Sequence, residues 1–370
     1  MIYLDHHAAA PVPQAVRNAM QQAANAAWAN PSSTHAAGRA SRRLLEHARE
    51  SIAAALCANA ADVVLTGGGT EACNLGVRGI AAGRRRIVST AVEHPAVAKS
   101  VERFEREGGE TVVLGVPHGR PPPVEALAGH LDAETAVAVQ WVNHETGTVF
   151  PVGAYARACQ AHGARLFVDA TQALGKVPID VDLLGADAVA VAAQKIGGPA
   201  GAGACWVRRG LDIEPVLDGG SQERGRRPGT PDTSSIVGFG AACGLVPERI
   251  EAQPAIEALR DLIEARLRER GGVSNAKEGP QVATVANLSF EGWEGPLLVA
   301  ALDLEDVCVS TGAACSSGLQ EPSAVIQAMY PDEQWRAGSA VRISLGIETT
   351  PSDIETAFRA FERVLARKGI

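Results

Sequence analysis

Aromatic side chains make up only 4% of this chain, and no apolar run reaches the ~20 residues that a membrane-spanning helix needs. A membrane partner is therefore not expected. Positive charge is not in excess. The 34 Lys and Arg stand against 42 Asp and Glu, a net charge of −8, which argues against a nucleic-acid partner. Paired cysteine motifs are missing too. The seven cysteines, at 57, 73, 159, 205, 243, 308 and 315, are odd in number and none has C-x-x-C spacing. Neither a disulfide framework nor a thiolate zinc site is indicated, and no resident metal is expected. The opening Met1-Ile2-Tyr3-Leu4-Asp5 shows no basic stretch followed by an apolar one, so no signal peptide is expected. Reduced thiols and the lack of a leader point to the cytoplasm.

What is present is length and apolar content. A chain of 370 residues, 46% hydrophobic, can build one large core and a smaller one. Short β-like runs alternate with helical ones from residue 62 onward. The runs at 62–66, 86–89, 111–114, 135–142, 165–169, 188–191 and 203–207 read as strands. The 135–142 run is apolar nearly throughout, as expected of a strand buried on both faces. Helices are read at 70–80, 96–107 and 154–162, the last stopped by Gly163. The pattern predicts an α/β fold with a mostly parallel seven-stranded sheet covered by helices. The texture changes near Glu248. A charged amphipathic helix at 256–270 leads to strands at 282–290, 307–310 and 341–345, with helices at 297–304, 323–329 and from Pro351. These predict a smaller C-terminal α/β domain.

Ligands in open parallel sheets gather at the carboxyl ends of the strands. Four polar signals fall there: Thr66-Gly67-Gly68-Gly69-Thr70-Glu71, Glu93-His94, Asp169-Ala170-Thr171-Gln172 and Gln194-Lys195. The glycine run before a helix suits an anion such as phosphate, and is equally an ordinary tight turn. It also meets a loose dinucleotide fingerprint, which alone supports only a weak nicotinamide alternative. Asp169 reads as a helix cap or as a buried anion for a ring cation. Lys195, between a buried strand and Ile196-Gly197-Gly198-Pro199, is a solvated lysine or a desolvated nucleophile able to form a Schiff base. Lysine, acid and anion cradle together suggest pyridoxal 5'-phosphate.

The chain resembles the NifS-like cysteine desulfurases, class V aminotransferases within the fold type I pyridoxal-phosphate enzymes. The resemblance runs nearly end to end. It passes through Tyr3-Leu4-Asp5, Asn30-Pro31-Ser32-Ser33, Gly69-Thr70-Glu71, Glu93-His94, Asn143-x-Glu145-Thr146-Gly147, Asp169-Ala170-Thr171-Gln172, Lys195, Arg227-x-Gly229-Thr230 and Arg342-x-Ser344-Leu345-Gly346.

The resemblance implies a large cofactor-binding domain over 15–250 and a small domain built from 1–14 and 251–370. It implies that Lys195 holds the cofactor and moves a proton. Asp169 would pair with the ring nitrogen and Gln172 with the ring hydroxyl oxygen. His94 would lie over the ring and transfer protons, its alternative being a helix-capping histidine. Gly69, Thr70 and Gln194 would bind the phosphate. Thr230 would reach the phosphate of a neighbouring subunit, which implies a homodimer with shared sites. Arg342 would clamp the substrate carboxylate, with Asn143 and His144 beside it. Cys315, in the small-residue run Ser310-Thr311-Gly312-Ala313-Ala314-Cys315-Ser316-Ser317-Gly318, would take sulfur from L-cysteine as a persulfide. L-alanine would be left, and the sulfur would pass to an acceptor protein, for iron–sulfur cluster assembly or thiolation.

Some positions depart from the family pattern. Ala192 and Gln194 stand where serine and histidine are usual, so cofactor retention is expected to be weaker. His6-His7-Ala8-Ala9-Ala10 replaces a threonine-bearing segment, and His144 a frequent asparagine. The alternatives are another class V enzyme, an aminotransferase or selenocysteine lyase that does not need Cys315, and a partner-binding module with a decayed site.

Overall fold

Runs of four to six residues rich in valine and alanine form a seven-stranded sheet in the computed structural model, which describes residues 1–276, 279–312 and 321–367. Across the sheet the order is Val63–Thr66, Gly203–Val207, Ala188–Ala192, Arg165–Asp169, Thr135–Gln140, Arg86–Thr90 and Glu110–Leu114. Only Gly203–Val207 runs against its neighbours. The inner strands Thr135–Gln140, Ala188–Ala192 and Gly203–Val207 are buried along their whole length, which is why they read as unbroken apolar runs. The expected mostly parallel α/β sheet is therefore present. Its six parallel strands end on one edge, and that edge carries the four polar signals.

The expected helices appear as Gly69–Ala81, Pro95–Arg106 and Val152–His162, the last capped by Gly163 at φ 70°. The helices Gln14–Ala26, Ala36–Ala55 and Thr233–Cys243 were not foreseen. They pack together closely. A Cβ on Gly240 would lie 2.8 Å from Ala48 Cα.

Beyond residue 250, the strands Gly272–Ser274, Val285–Phe290 and Ala340–Ser344 form an antiparallel sheet with Val285–Phe290 in the middle. Two expected strands are shorter than foreseen. The first starts at Val285 because Val282 N instead donates to Gly147 O. The other covers only Val307–Cys308, with Ser310 making an isolated bridge to Arg342. The helices Gln253–Arg268, Gly295–Asp303 and Pro351–Ala366 accompany these strands, and the last opens in a Thr350–Asp353 capping box. Ile2–Tyr3 pairs in parallel with Val307–Cys308, and Leu4 shares an apolar cluster with Ile263, Leu288, Ile343 and Phe361. The first residues of the chain thus pack with the last hundred.

One glycine tests this packing. Gly76 lies inside the Gly69–Ala81 helix, where alanine would ordinarily add up to about 1 kcal/mol of stability. Its Cβ, however, would sit 2.4 Å from the ring of fully buried Phe167. Gly76→Ala is expected to destabilise the fold by roughly 1–3 kcal/mol. A lowered urea midpoint is the readout, and an unchanged or raised midpoint would refute the argument.

Candidate active site

Lys195 sits in a single 3-10 turn, Ala193–Ile196, directly after the buried strand Ala188–Ala192. Gly197 ends the turn at φ 76°, and a side chain there would strike Arg249 Nη2 at 2.7 Å and Pro13 Cδ at 2.9 Å. Lys195 Nζ donates to His7 O at 2.7 Å and to Ala8 O at 2.9 Å. Gln172 Nε2 donates to the same His7 carbonyl at 2.9 Å. The N-terminal segment therefore supplies the acceptor at which two expected cofactor residues meet.

Asp169 closes its strand and is 4% exposed. Its Oδ1 accepts from Thr171 N at 2.9 Å and Thr171 Oγ1 at 2.6 Å. Burial, with the Asp169 charge adding, pushes the Cys73 thiol well above its ordinary value. Asp169 is thus oriented by Thr171.

The glycine turn lies against these strand ends. Gly68 has φ 140°, a conformation suited to glycine, and a Cβ on Gly203 would come within 2.6 Å of the Gly68 carbonyl carbon. A Cβ on Gly69 would touch Ala192 Cβ and Thr171 Cγ2 at 3.0 Å each. The turn is braced by Glu71, which accepts from Gly67 N at 2.6 Å and from Arg227 Nε at 2.8 Å. The first-turn N–H groups at Gly69 and Thr70 have no intrahelical acceptor, and Thr70 is exposed. Nearby, Gln194 keeps a buried Oε1 with no partner among the described residues.

His94 caps a helix, as its alternative reading expected. Its Nδ1 accepts from Ala96 N at 3.1 Å, which caps the Pro95–Arg106 helix. Its ring also stands edge-on to His144, with centroids 5.2 Å apart. An accepting Nδ1 leaves the proton on Nε2. Burial holds His144 well below the ordinary histidine value, with the charges of His94, Arg342 and Lys195 adding, so its ring is neutral at pH 7. His94 lies beside this ring and Arg342 binds the His144 carbonyl, so the three share one wall.

Arg342 is 2% exposed. Nη2 pairs with Asp5 Oδ1 at 2.8 Å, Nη1 donates to His144 O at 3.0 Å and Gly312 O at 3.3 Å, and Nε has no partner among the described residues. Asn143, expected at the substrate, is already engaged. Its Oδ1 accepts from Glu145 N, Thr146 N and Thr146 Oγ1, and its Nδ2 faces Val92 O and Gln140 Oε1. It shapes the turn that carries His144 and has no free donor to offer. Thr230 is exposed, and Cys315 lies outside the described residues.

Two contributors escaped the sequence reading as site residues. Asp5 neutralises Arg342 from 337 positions away, with no local pattern to reveal it. Glu145 stood in plain view within the Asn143–Gly147 motif. It is 2% exposed, accepts from Ser323 Oγ at 2.6 Å, and is pushed by burial to about 7. Glu93 is similarly pushed to about 8. Among the described residues no cluster of three His, Cys, Asp or Glu is set to hold a metal, and no helix is long and apolar enough to cross a membrane.

The sequence profile of the family described as Aminotransferase class-V matches residues 2–357. The chain is 38% identical to the IscS-like cysteine desulfurase of Mycobacterium tuberculosis (strain ATCC 25618 / H37Rv), over 99% of this chain and 97% of that protein. The chain belongs to the class V aminotransferase family, among its NifS-like cysteine desulfurases. A solved structure described as a NifS-like protein superimposes with a TM-score of 0.92 at 28% identity, covering 99% of each chain. Another, SspA in complex with cysteine, gives a TM-score of 0.82 at 27% identity, covering 95% of this chain and 100% of that one. Enzymes of this family depend in general on pyridoxal phosphate. The fold is that of the fold type I enzymes.

The raised carboxyls have a consequence for stability. Between about pH 4.5 and 8 the folded chain holds protons on Glu145 and Glu93 that the unfolded chain has released, so their contribution to stability is lost progressively from about pH 4.5 until it is gone above about 7 for Glu145 and about 8 for Glu93. Glu145→Gln removes one of these groups. It should be more stable than the parent at pH 8.5, by about 1–3 kcal/mol, and nearly equal at pH 5. Urea midpoints at the two pH values decide it, and a difference that does not depend on pH refutes it.

Proposed function

We propose that the chain is a cytoplasmic desulfurase that takes the sulfur of L-cysteine onto Cys315, releasing L-alanine, and hands it to an acceptor protein. The observation that carries this reading is the placement of Lys195, Asp169 and the Gly69 helix start against one another at a single sheet edge. Each pocket feature suits pyridoxal phosphate. The cradle is glycine where a Cβ would collide, the helix start offers unpaired N–H groups, and Asp169 is held as a buried carboxylate. When bound, that cofactor supplies an electron sink for charge developing at the substrate α-carbon.

The protein's own groups do the rest. Lys195 holds the cofactor and moves the α-proton, once its bonds to His7 O and Ala8 O are given up. Asp169 keeps the ring nitrogen protonated, and Gln172 donates to the ring hydroxyl oxygen. His94, with its proton on Nε2, is the second proton-transfer group. Arg342 presents Nε, which has no partner among the described residues, to the substrate carboxylate, with neutral His144 alongside. The Cys315 thiolate attacks the substrate sulfur. An S–S bond forms as the carbon–sulfur bond breaks, and a proton is delivered to the former sulfur-bearing carbon. Thr230, exposed on this chain, completes the phosphate site of a second subunit in a homodimer. The structure of SspA with cysteine supports the choice of substrate.

Purified protein loaded with pyridoxal phosphate and given L-cysteine should yield alanine, with a persulfide on Cys315 by mass spectrometry. Cys315→Ala should lose sulfide release and keep its visible cofactor band, whereas Lys195→Ala should lose the band. Alanine formed with no persulfide on Cys315 would overturn the assignment. The departure at Ala192 has its own test. This residue faces Gly69 at the phosphate cradle, so Ala192→Ser should lower the cofactor dissociation constant by roughly three- to tenfold. An unchanged constant would show that the missing hydroxyl does not weaken retention.

A further inference from the structure

Lys176 lies behind the site and has no part in the chemistry above. Its Nζ donates to Gln172 Oε1 at 2.9 Å, the only acceptor it has among the described residues. Its surroundings are hostile to a cation. It borders a cavity of about 20 Å³ whose lining includes Lys195, Arg249, His6 and Gln253 and no carboxylate. Burial, with the charges of Lys195, Arg249 and Arg342 adding, holds it well below the usual lysine range. A lysine placed so unfavourably, with no counter-ion among the described residues, calls for a local reason, and the bond to Gln172 supplies one.

The Gln172 amide can face either way unless its neighbours choose for it. His7 O can only accept, which turns Nε2 toward the carbonyl shared with Lys195. Lys176, donating from the opposite side, requires Oε1 there. The two partners agree on one orientation. With Lys195 moved off His7 O, the amide is held from both ends, by His7 O at Nε2 and by Lys176 at Oε1.

We propose that Lys176 is a positioning residue: by donating to Gln172 Oε1 it keeps the Gln172 N–H turned to the Lys195 side, where the ring hydroxyl oxygen accepts it. This inference rests on the cofactor reading above.

The test is a double-mutant cycle read by absorbance. Wild type, Lys176→Met, Gln172→Leu and the double variant are loaded with pyridoxal phosphate, and the pH midpoint of the visible cofactor band is measured for each. Methionine fills similar volume and removes a desolvated amine, so the fold should be retained, with a melting midpoint at or above that of wild type. Lys176→Met should raise the pH midpoint by about one unit, because the N–H that stabilises the ring oxygen is no longer held. In the Gln172→Leu background the same substitution should have no further effect. A Lys176→Met midpoint equal to wild type, while Gln172→Leu shifts, overturns the proposal. A Lys176 effect that persists without Gln172 overturns it as well, since the lysine would then act by charge on Lys195 directly. A wild-type protein with no cofactor band overturns the reading of the pocket, and this inference with it.

Discussion

A guanidinium that is 2% exposed needs a counter-ion and acceptors, and Arg342 finds them on three segments far apart in the chain. Asp5 supplies the charge, while the carbonyls of His144 and Gly312 supply acceptors. The rest of the site follows from the first of these. With Asp5 anchored, the chain that leaves it must pass over the edge of the large sheet, and the next residues bring the carbonyls of His7 and Ala8 to Lys195. His7 O then serves Gln172 as well. A residue of the C-terminal sheet thereby fixes the environment of a lysine on the other sheet.

Charge is distributed unevenly around this arrangement. The whole chain carries −8, yet Lys195 and Arg342 stand together at the pocket, while burial pushes Lys176 behind them toward its neutral form. The acids that could balance them, Glu93 and Glu145, are pushed by burial to about 8 and 7, so both carry protons at neutral pH for much of the time. His144 is neutral. Asp169 and Asp5 remain as anions in fixed places, one held by Thr171 and the other by Arg342. A pocket of this kind favours a guest that brings several negative charges, such as a phosphate and a carboxylate.

Much of this was legible in the sequence wherever the signal was local. The large-sheet strands showed as short valine- and alanine-rich runs because burial on both faces removes polar alternation. Lys195, Asp169 and the glycine turn showed because each follows such a run. The helices within residues 14–55 escaped because alanine is common on their buried and exposed faces alike, which blurs the apolar stripe. Thr233–Cys243 escaped for the opposite reason. Nearly every residue in it is buried, and its small side chains allow close approach to Ala36–Ala55, so no periodicity marks it. Asn143 was assigned to the substrate by resemblance, but three hydrogen bonds tie its amide oxygen into its own turn and its nitrogen faces Val92 O and Gln140 Oε1. The Arg342–Asp5 and Lys176–Gln172 contacts reflect the folded arrangement of side chains, which no single motif encodes.

The same arrangement continues from Arg342 to Glu145. Gly312 is held by Arg342 and stands so close to Glu145 that a Cβ would lie 2.4 Å from its carboxylate. Ser323 donates to that same carboxyl and caps the following helix. Gly312 and Ser323, on separate stretches of the chain, therefore meet at one buried side chain, and a change at Glu145 acts on both at once.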